Sequence, residues 1–373
     1  MAYTTIDDPS KYFQTTLWTG NTTAPRSITN SGNSNLQPDI VWGKNRSTNG
    51  TDHFIYDSSR GTGTSYSLQP NTSNAEGTAT TYGILSAFQS NGFQVNAGGT
   101  NDDNWNENGS AHVAWQWKVN GGTTVSNTDG NITSTVQANQ TSGVSIVTYT
   151  GQGTQTGKTV GHGLGKAPRV ILSKDRDAGS NVPNWRVYIA GDSLNHLKYG
   201  TLDTEALWAT FNDWDNTAPT STVYSVGGSG GYTPTNTSGR TYLAYCFTDI
   251  KGFSKFGHTR GNSSTGNDGN ADDTFVYCGF KPALVIYKQA TDGTANWEMI
   301  DTARDTRNPC NNRLFPSSTG PESSAEYPID ILSTGFKMRD NYNGIGSNGT
   351  EYVYFAWAEH PFVSSNGTPT TAR

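Results

Sequence analysis

One ordered set of landmarks runs through this chain three times, and that repetition limits the fold more than any single motif does. Each copy opens on a strand-like run with a Thr-Gly ending: LWTGN at 17–21, VTYTGQ at 147–152 and, more weakly, FGHTRGN at 256–262. A proline followed by an apolar run comes next, in LQPDIVWGKNR, KAPRVILSKDR and FKPALVIYKQA, which carry Pro38, Pro168 and Pro282. A second run follows, HFIYDSSR at 53–60, WRVYIAGD at 185–192 and WEMIDTAR at 297–304. The last is NGSAHVAWQWK, TSGRTYLAYCF or SNGTEYVYFAW. From Pro38 to Ala114 is 76 residues, from Pro168 to Ala244 is 76, and from Pro282 to Ala356 is 74.

Val, Ile, Thr, Tyr, Phe and Trp dominate these runs with period-two alternation, as in Tyr352-Val353-Tyr354-Phe355-Ala356-Trp357. Turn dipeptides such as Asn49-Gly50, Asn91-Gly92, Asp129-Gly130 and Asp292-Gly293 separate them. The fold class expected is all-β: three tandem β-sandwich domains, lectin-like or jelly-roll-like, set in series. The boundaries are 1–119 for the first repeat with an N-terminal docking segment, 120–142 for a linker or connecting strand, 143–251 for the second repeat, 252–363 for the third and 364–373 for a loose or docked tail. One short segment, Leu202–Phe211, has helix-like composition.

Composition narrows the class. Leu, Ile, Val and Phe make up only 61 of 373 residues, but 10 Trp and 18 Tyr supply large buried area per residue. A formal net charge of −6 is too small to hold the chain unfolded. It also lacks the basic footprint of a nucleic-acid binder. No stretch approaches the roughly 20 apolar residues of a spanning helix, so membrane insertion is not expected. Residues 1–20 show no basic segment followed by an apolar core, so no secretory leader is expected there. Cys246 and Cys278 lie in apolar runs and read, with Cys310, as free thiols rather than a disulfide scaffold or zinc site.

Features that could carry chemistry are few. The histidines are scattered, and His162, in Gly161-His162-Gly163-Leu164-Gly165, reads as a glycine-rich turn. Asp57 and Asp301 occupy matching places, each followed three residues later by Arg60 or Arg304, which suggests an ion pair at a strand end; the second repeat has Ile189 there. No catalytic residues are assigned. The chain is expected to be no enzyme and to need no cofactor, with Ca²⁺ as the one candidate ion, on Asp102, Asn104, Asn106 and Asn108 before Gly109. Loop 267–273 is a weaker copy of that pattern. Trp105, Trp208, Trp214, Tyr232 and Tyr342 stand in polar, Gly/Asn-rich surroundings where a core position is not expected; these rings are the candidate ligand-binding residues. Trp42, Trp115, Trp117, Trp185, Trp297 and Trp357 fall on repeat landmarks and should be core.

The opening MAYTTIDDPSKYFQTTLWTGN, SNTDGNITSTVQANQTSGVSIV, VGHGLGKAP, KGFSKFG, STGFKMRD and the closing AWAEHPFVSSNGTPTTAR are similar to repeat proteins of marine tailed phages, a virion or tail-fibre-like family. NDDNWNENG at 101–109 departs from that pattern. The resemblance implies a structural virion protein, a tail-fibre or appendage subunit that binds a host-surface glycan or protein. A purely architectural role, such as capsid-surface decoration, is the alternative, and a glycan depolymerase is a more distant one. It implies other virion proteins as partners, a homo-oligomer (a trimer if it is a fibre), and assembly in the bacterial host cytoplasm into the virion.

Overall fold

The computed structural model describes residues 3–77, 81–97, 104–177, 183–191, 194–262, 273–339 and 346–370, the side chains at 325–327 excepted. The first repeat holds β1 (Phe13–Thr19), β2 (Arg26–Thr29), β3 (Ile40–Asn45), β4 (His53–Asp57), β5 (Ile84–Gln89), β6 (Gly92–Asn96) and β7 (Ala111–Trp117). The second holds β8 (Val125–Asn127), β9 (Ser134–Asn139), β10 (Val144–Thr150), β11 (Lys158–Gly161), β12 (Val170–Asp175), β13 (Arg186–Ile189), β14 (Lys198–Thr201), β15 (Ala209–Thr210), β16 (Val223–Val226) and β17 (Thr241–Phe247). The third holds β18 (Ser254–Arg260), β19 (Phe275–Tyr277), β20 (Phe280–Gln289), β21 (Glu298–Asp301), β22 (Cys310–Arg313), β23 (Ser323–Leu332), β24 (Gly335–Met338) and β25 (Glu351–Pro361). The chain is all-β. Among the described residues the only helical turns are the short 3₁₀ segments Pro9–Lys11 and Thr64–Tyr66.

Each repeat builds one inner sheet with the same strand order: β1-β7-β3-β4, β10-β17-β12-β13 and β18-β25-β20-β21. Register matches residue by residue. Lys44 faces Val113, Lys174 faces Leu243 and Lys288 faces Val353, while Asp57, Ile189 and Asp301 face Ile40, Val170 and Leu284. The register also corrects one landmark. Gly43 pairs with Ala114 and Ser173 with Ala244, but Tyr287 pairs with Tyr354, two residues from Ala356 and on the same face. Outer sheets β2-β6-β5, β11-β16 and β19-β24-β23-β22 cover one side of each inner sheet.

Alternation then buries both faces. In the first repeat Val41, Phe54, Tyr56 and Ala114 pack outward with Ile28, Leu85, Phe93, Val95 and Trp105. In the second, Ile171, Tyr188, Ala244 and Cys246 pack outward with Val160, Tyr224, Val226 and Trp214. The opposite faces of all three inner sheets belong to one apolar cluster, including Trp42, Trp115, Leu172, Tyr245, Ile286 and Phe355. Trp42, Leu172 and Ile286, at one position of each repeat, line a common apolar cavity of about 20 Å³. That space suits at most one water and offers it no polar partner, so it stays dry.

The repeats therefore do not stand in series; each closes against the other two. The Tyr245 hydroxyl donates to Asp57 Oδ2 at 2.7 Å, and Trp115 Nε1 donates to Asp301 Oδ2 at 3.0 Å. At the third seam the equivalent pair is Phe355 and Ile189, apolar on both sides. Trp185 Nε1 reaches the Gln69 carbonyl at 2.9 Å and Trp297 Nε1 the Thr201 carbonyl at 2.7 Å. His53, at the same position, accepts from Trp42 Nε1 at 3.0 Å and lies beside the Phe315 backbone without a well-formed hydrogen bond. The expected ion pairs are present: Arg60 Nε–Asp57 and Arg304 Nε–Asp301, each at 2.5 Å and buried. Glu76 joins Arg60 to Arg176 of the second repeat, and Glu322 joins Arg304 to Arg46 of the first. Trp208, in the place of those glutamates, packs on Trp297 instead, with ring centroids 5.7 Å apart.

Other expectations change at the connections. Residues 120–142 form no free linker: β8 and β9 extend the second repeat's sheet beyond β10. Residues 202–211 are not helical, because Leu202 and Trp208 are drawn into the central core and the segment ends in β15. The N-terminal segment docks on its own chain, where Tyr3 donates to Gly279 O at 2.7 Å, Thr4 to Lys251 O at 2.8 Å, and Ile6 is buried centrally. The tail is docked too, with Ser365 N donating to Asp7 Oδ1 at 2.6 Å. The six landmark tryptophans are core, and all three cysteines are buried thiols outside any disulfide. No helix among the described residues is long and apolar enough to cross a membrane.

Two predictions follow from the seams and the buried lysines. Asp301→Asn strips the charge from beneath a buried guanidinium and should cost about 3–5 kcal/mol; Ile189→Val at the equivalent apolar seam should cost about 0.5–1.5 kcal/mol, both read by urea unfolding. Burial pushes Lys44 down to about 7 and Lys174 and Lys288 down to about 8. An unfolded lysine keeps its proton to about 10.4, so above pH 8 the unfolded chain binds more protons and stability rises with pH. The urea midpoint should be higher at about pH 9.5 than at about pH 7; a falling midpoint would contradict neutral buried amines.

Candidate functional site

Whatever recurs at one position of all three repeats serves the fold, so a functional site is sought where one repeat departs from the others. The clearest departure lies opposite Gly43, Ser173 and Tyr287, where the register places Phe54, Arg186 and Glu298. Phe54 is plain core. Glu298 accepts from the Tyr287 hydroxyl at 2.5 Å and pairs with Arg313 at 3.0 Å, a closed internal set. Arg186 instead points into an aromatic group near the surface. Its guanidinium carbon sits 4.1 Å from the centre of the Tyr199 ring on β14, an attractive cation–π geometry.

Tyr199 begins a row of rings. Phe211 meets it edge-on at 6.3 Å, and Tyr232 follows at 6.0 Å from Phe211. Tyr199 and Phe211 are half-buried, and Tyr232 is 38% exposed. A tight hairpin turn presents Tyr232: Ser229 and Tyr232 exchange two 3.0 Å backbone bonds around Gly230 and Gly231, whose φ values are 60° and 85°. Consecutive left-handed residues of this kind call for glycine. At Gly228 any side chain would strike the Tyr232 carbonyl, 1.9 Å from where its Cβ would lie.

Beneath the row, Arg186 Nε stands 3.3 Å from Asp213 Oδ2. Burial works against the charge on Arg186, but Asp213 overrides it and the guanidinium is held more firmly protonated than usual. Burial pushes the Asp213 carboxyl up to about 6, with Arg186 opposing. Burial also raises Asp203 to about 6, opposed by Lys174 and Arg186. Both carboxyls lie below the surface, so neither is presented to a ligand. The group presents to solvent a ledge in which Tyr232 is exposed and Tyr199 and Phe211 are half-buried behind it, with the Tyr232 hydroxyl 3.5 Å from Arg186 Nη2, a surface on which a hydroxyl-rich molecule can stack.

Of the rings singled out from the sequence, Tyr232 alone is found exposed. Trp105 is fully buried, wedged among Phe54, Tyr56 and Phe93 and over Gly43, where a side chain would overlap its ring. Trp208 packs on Gly200 and Trp297, and Trp214 on Tyr188. These three are corrections: the indoles fold in, and the polar neighbours Asn104, Asn106 and Asp213 are buried with them. Tyr342 lies outside the described residues. So do Asp102 of the calcium pattern and most of loop 267–273. Asn106 offers no free oxygen to a cation, because its Oδ1 accepts from Arg26 at 2.7 Å and from Asn21 N at 3.2 Å. Among the described residues no group of three His, Cys, Asp or Glu side chains could hold a metal ion. Sequence reasoning missed Arg186, Tyr199 and Phe211; the signal was the charged residue in WRVYIA at a place where the first repeat has Phe54.

A family model described as a domain of unknown function (DUF7483) matches residues 8–361 in one span. The chain belongs to the DUF7483 family. The span runs across all three repeats, so the DUF7483 unit is the closed set of three inner sheets with their outer layers, not a single repeat. No curated protein and no solved structure matches this DUF7483 chain.

Surface and core rings should separate cleanly in a stability test. Trp214→Ala should cost about 3–5 kcal/mol, whereas Tyr232→Ala should cost about 1 kcal/mol or less, measured by urea unfolding. Equal losses would place Tyr232 in the core.

Proposed function

We propose that this chain is a non-enzymatic structural protein of a phage virion, a tail-fibre or appendage subunit that binds a host-surface glycan on the Tyr199–Phe211–Tyr232 ledge. The observation that carries the binding part is that ledge itself, which among the described residues is found in one repeat only and is backed by Arg186 of β13, paired with Asp213. The likeness of the sequence motifs to tailed-phage repeat proteins supports the virion part. On this reading the protein is made in the host cytoplasm, assembles as a homo-oligomer, a trimer within a fibre, and contacts other virion proteins. A second reading, capsid-surface decoration with a purely architectural role, is favoured by the exposed Phe275 and Tyr277 on edge strand β19, at 43% and 51%. Rings so exposed suit a protein partner rather than a sugar in solution.

Added as soluble protein, the chain should compete with phage adsorption to host cells. Tyr232→Ala should lose that competition by about tenfold or more, equivalent to about 1.4 kcal/mol of binding. Host envelope material should release no reducing sugar on incubation. Failure of the wild-type protein to bind cells would remove the receptor reading and leave decoration; release of reducing sugar would make the protein a depolymerase.

A further inference from the structure

A second surface feature lies apart from the aromatic ledge. Four segments meet around a groove of about 540 Å³: the N-terminal Tyr3–Thr5, the β9–β10 turn at Gln140 and Thr141, the β11–β12 loop at Lys166, and the β17–β18 loop at Ile250 and Lys251. Two exposed lysines flank it, and no acidic side chain lines it. Asp249, the neighbouring carboxylate, is turned to Arg169 at 3.7 Å and accepts from Phe256 N at 2.9 Å. Among the described residues neither Lys166 nor Lys251 has a carboxylate within ion-pair distance, in a chain whose net charge is −6.

The walls are built rather than loose. Lys251 Nζ is held 4.5 Å over the Tyr3 ring, and Tyr3 is fixed in turn by its bond to Gly279 O at 2.7 Å. Gly252, at φ 77°, lets the chain pass against Thr4, whose side chain would lie 2.8 Å from any Cβ placed there. Gln140 Nε2 donates to Gly163 O at 3.1 Å and ties the turn to the Lys166 loop. Thr5, Gln140 and Thr141 line the same groove and bring hydroxyl and amide groups to it.

We propose that this groove binds an acidic polysaccharide, its sulfate, phosphate or carboxylate groups on Lys166 and Lys251 and its sugar hydroxyls on Thr5, Gln140 and Thr141. Two cations set among neutral hydrogen-bonding groups match sparse negative charge on a hydroxyl-rich chain. A nucleic acid carries one phosphate per nucleotide and calls for a continuous basic stripe, which the groove lacks. The site is independent of the aromatic ledge.

Dextran sulfate is the probe, with neutral dextran and a single-stranded oligonucleotide as comparisons, in titrations of the full chain at low and raised salt. Wild-type protein should bind dextran sulfate and not neutral dextran. Lys166→Glu with Lys251→Glu should weaken binding about tenfold or more and lower the slope of log affinity on log salt by about 2, with an unchanged melting temperature. Lys166→Arg with Lys251→Arg should retain binding. The proposal is overturned if wild-type protein does not bind dextran sulfate, if the double glutamate variant binds as well as wild type, or if the oligonucleotide competes at equal charge.

Discussion

Each inner sheet is buried on both faces, and one of those faces is covered only because the other two repeats are present. An antiparallel sheet ordinarily keeps one face for water; here β3, β4, β12, β13 and β21 are buried along their whole length. The central face has to pair its polar atoms without solvent. It pairs several of them across the seams: Tyr245 to Asp57, Trp115 to Asp301, and two indole N–H groups to main-chain carbonyls, while the indole N–H groups of Trp117, Trp208 and Trp357 stay buried without a partner. An unpaired group in such a place costs about 1–3 kcal/mol, so a repeat parted from its neighbours loses apolar cover and hydrogen-bond partners together.

The three lysines obey the same rule. Lys44 is held by Asn45 O, Thr51 O and Thr51 Oγ1; Lys174 by Ser73 O and Pro183 O; Lys288 by Glu205 O and Ala295 O. Two of the three take a carbonyl from the preceding repeat. The seams are nonetheless unequal. First-to-second and third-to-first are stitched by Arg–carboxylate pairs, while second-to-third is closed by Trp208, Trp297, Ile189 and Phe355. Where Asp is replaced by Ile, the facing Tyr or Trp is replaced by Phe, which removes donor and acceptor at once and leaves neither stranded.

Much of the fold was legible because repetition exposes it. The matched spacings identified the inner strands, the landmark tryptophans and the Asp57–Arg60 and Asp301–Arg304 pairs. The mutual closure of the repeats was not legible, because the receiving atoms are carbonyls of Gln69 and Thr201, and a carbonyl carries no residue-type signature. Trp105, Trp208 and Trp214 were misjudged for a related reason: polarity along the chain describes neighbours in sequence, and these indoles fill space beside Gly43, Gly200 and Tyr188 that only the folded sheets create. At the candidate site Tyr232 could be read from its Gly-Gly turn. Arg186 could not, since a cation inside an apolar run gains meaning only beside Phe54 and Glu298 at matching positions.

The segments around Asp7 and Ser365 meet beside the third repeat, where Ser365 N donates to Asp7 Oδ1 and Thr370 N to Phe362 O. With the repeats closed on one another, none of the three inner sheets is structurally first or last. The same three sheets could be read off a chain that began between β7 and β8 and ran through a joined tail and N-terminal segment before ending at β7. Order along the gene and order around the core are separable in this fold, and evolution is free to rotate one against the other.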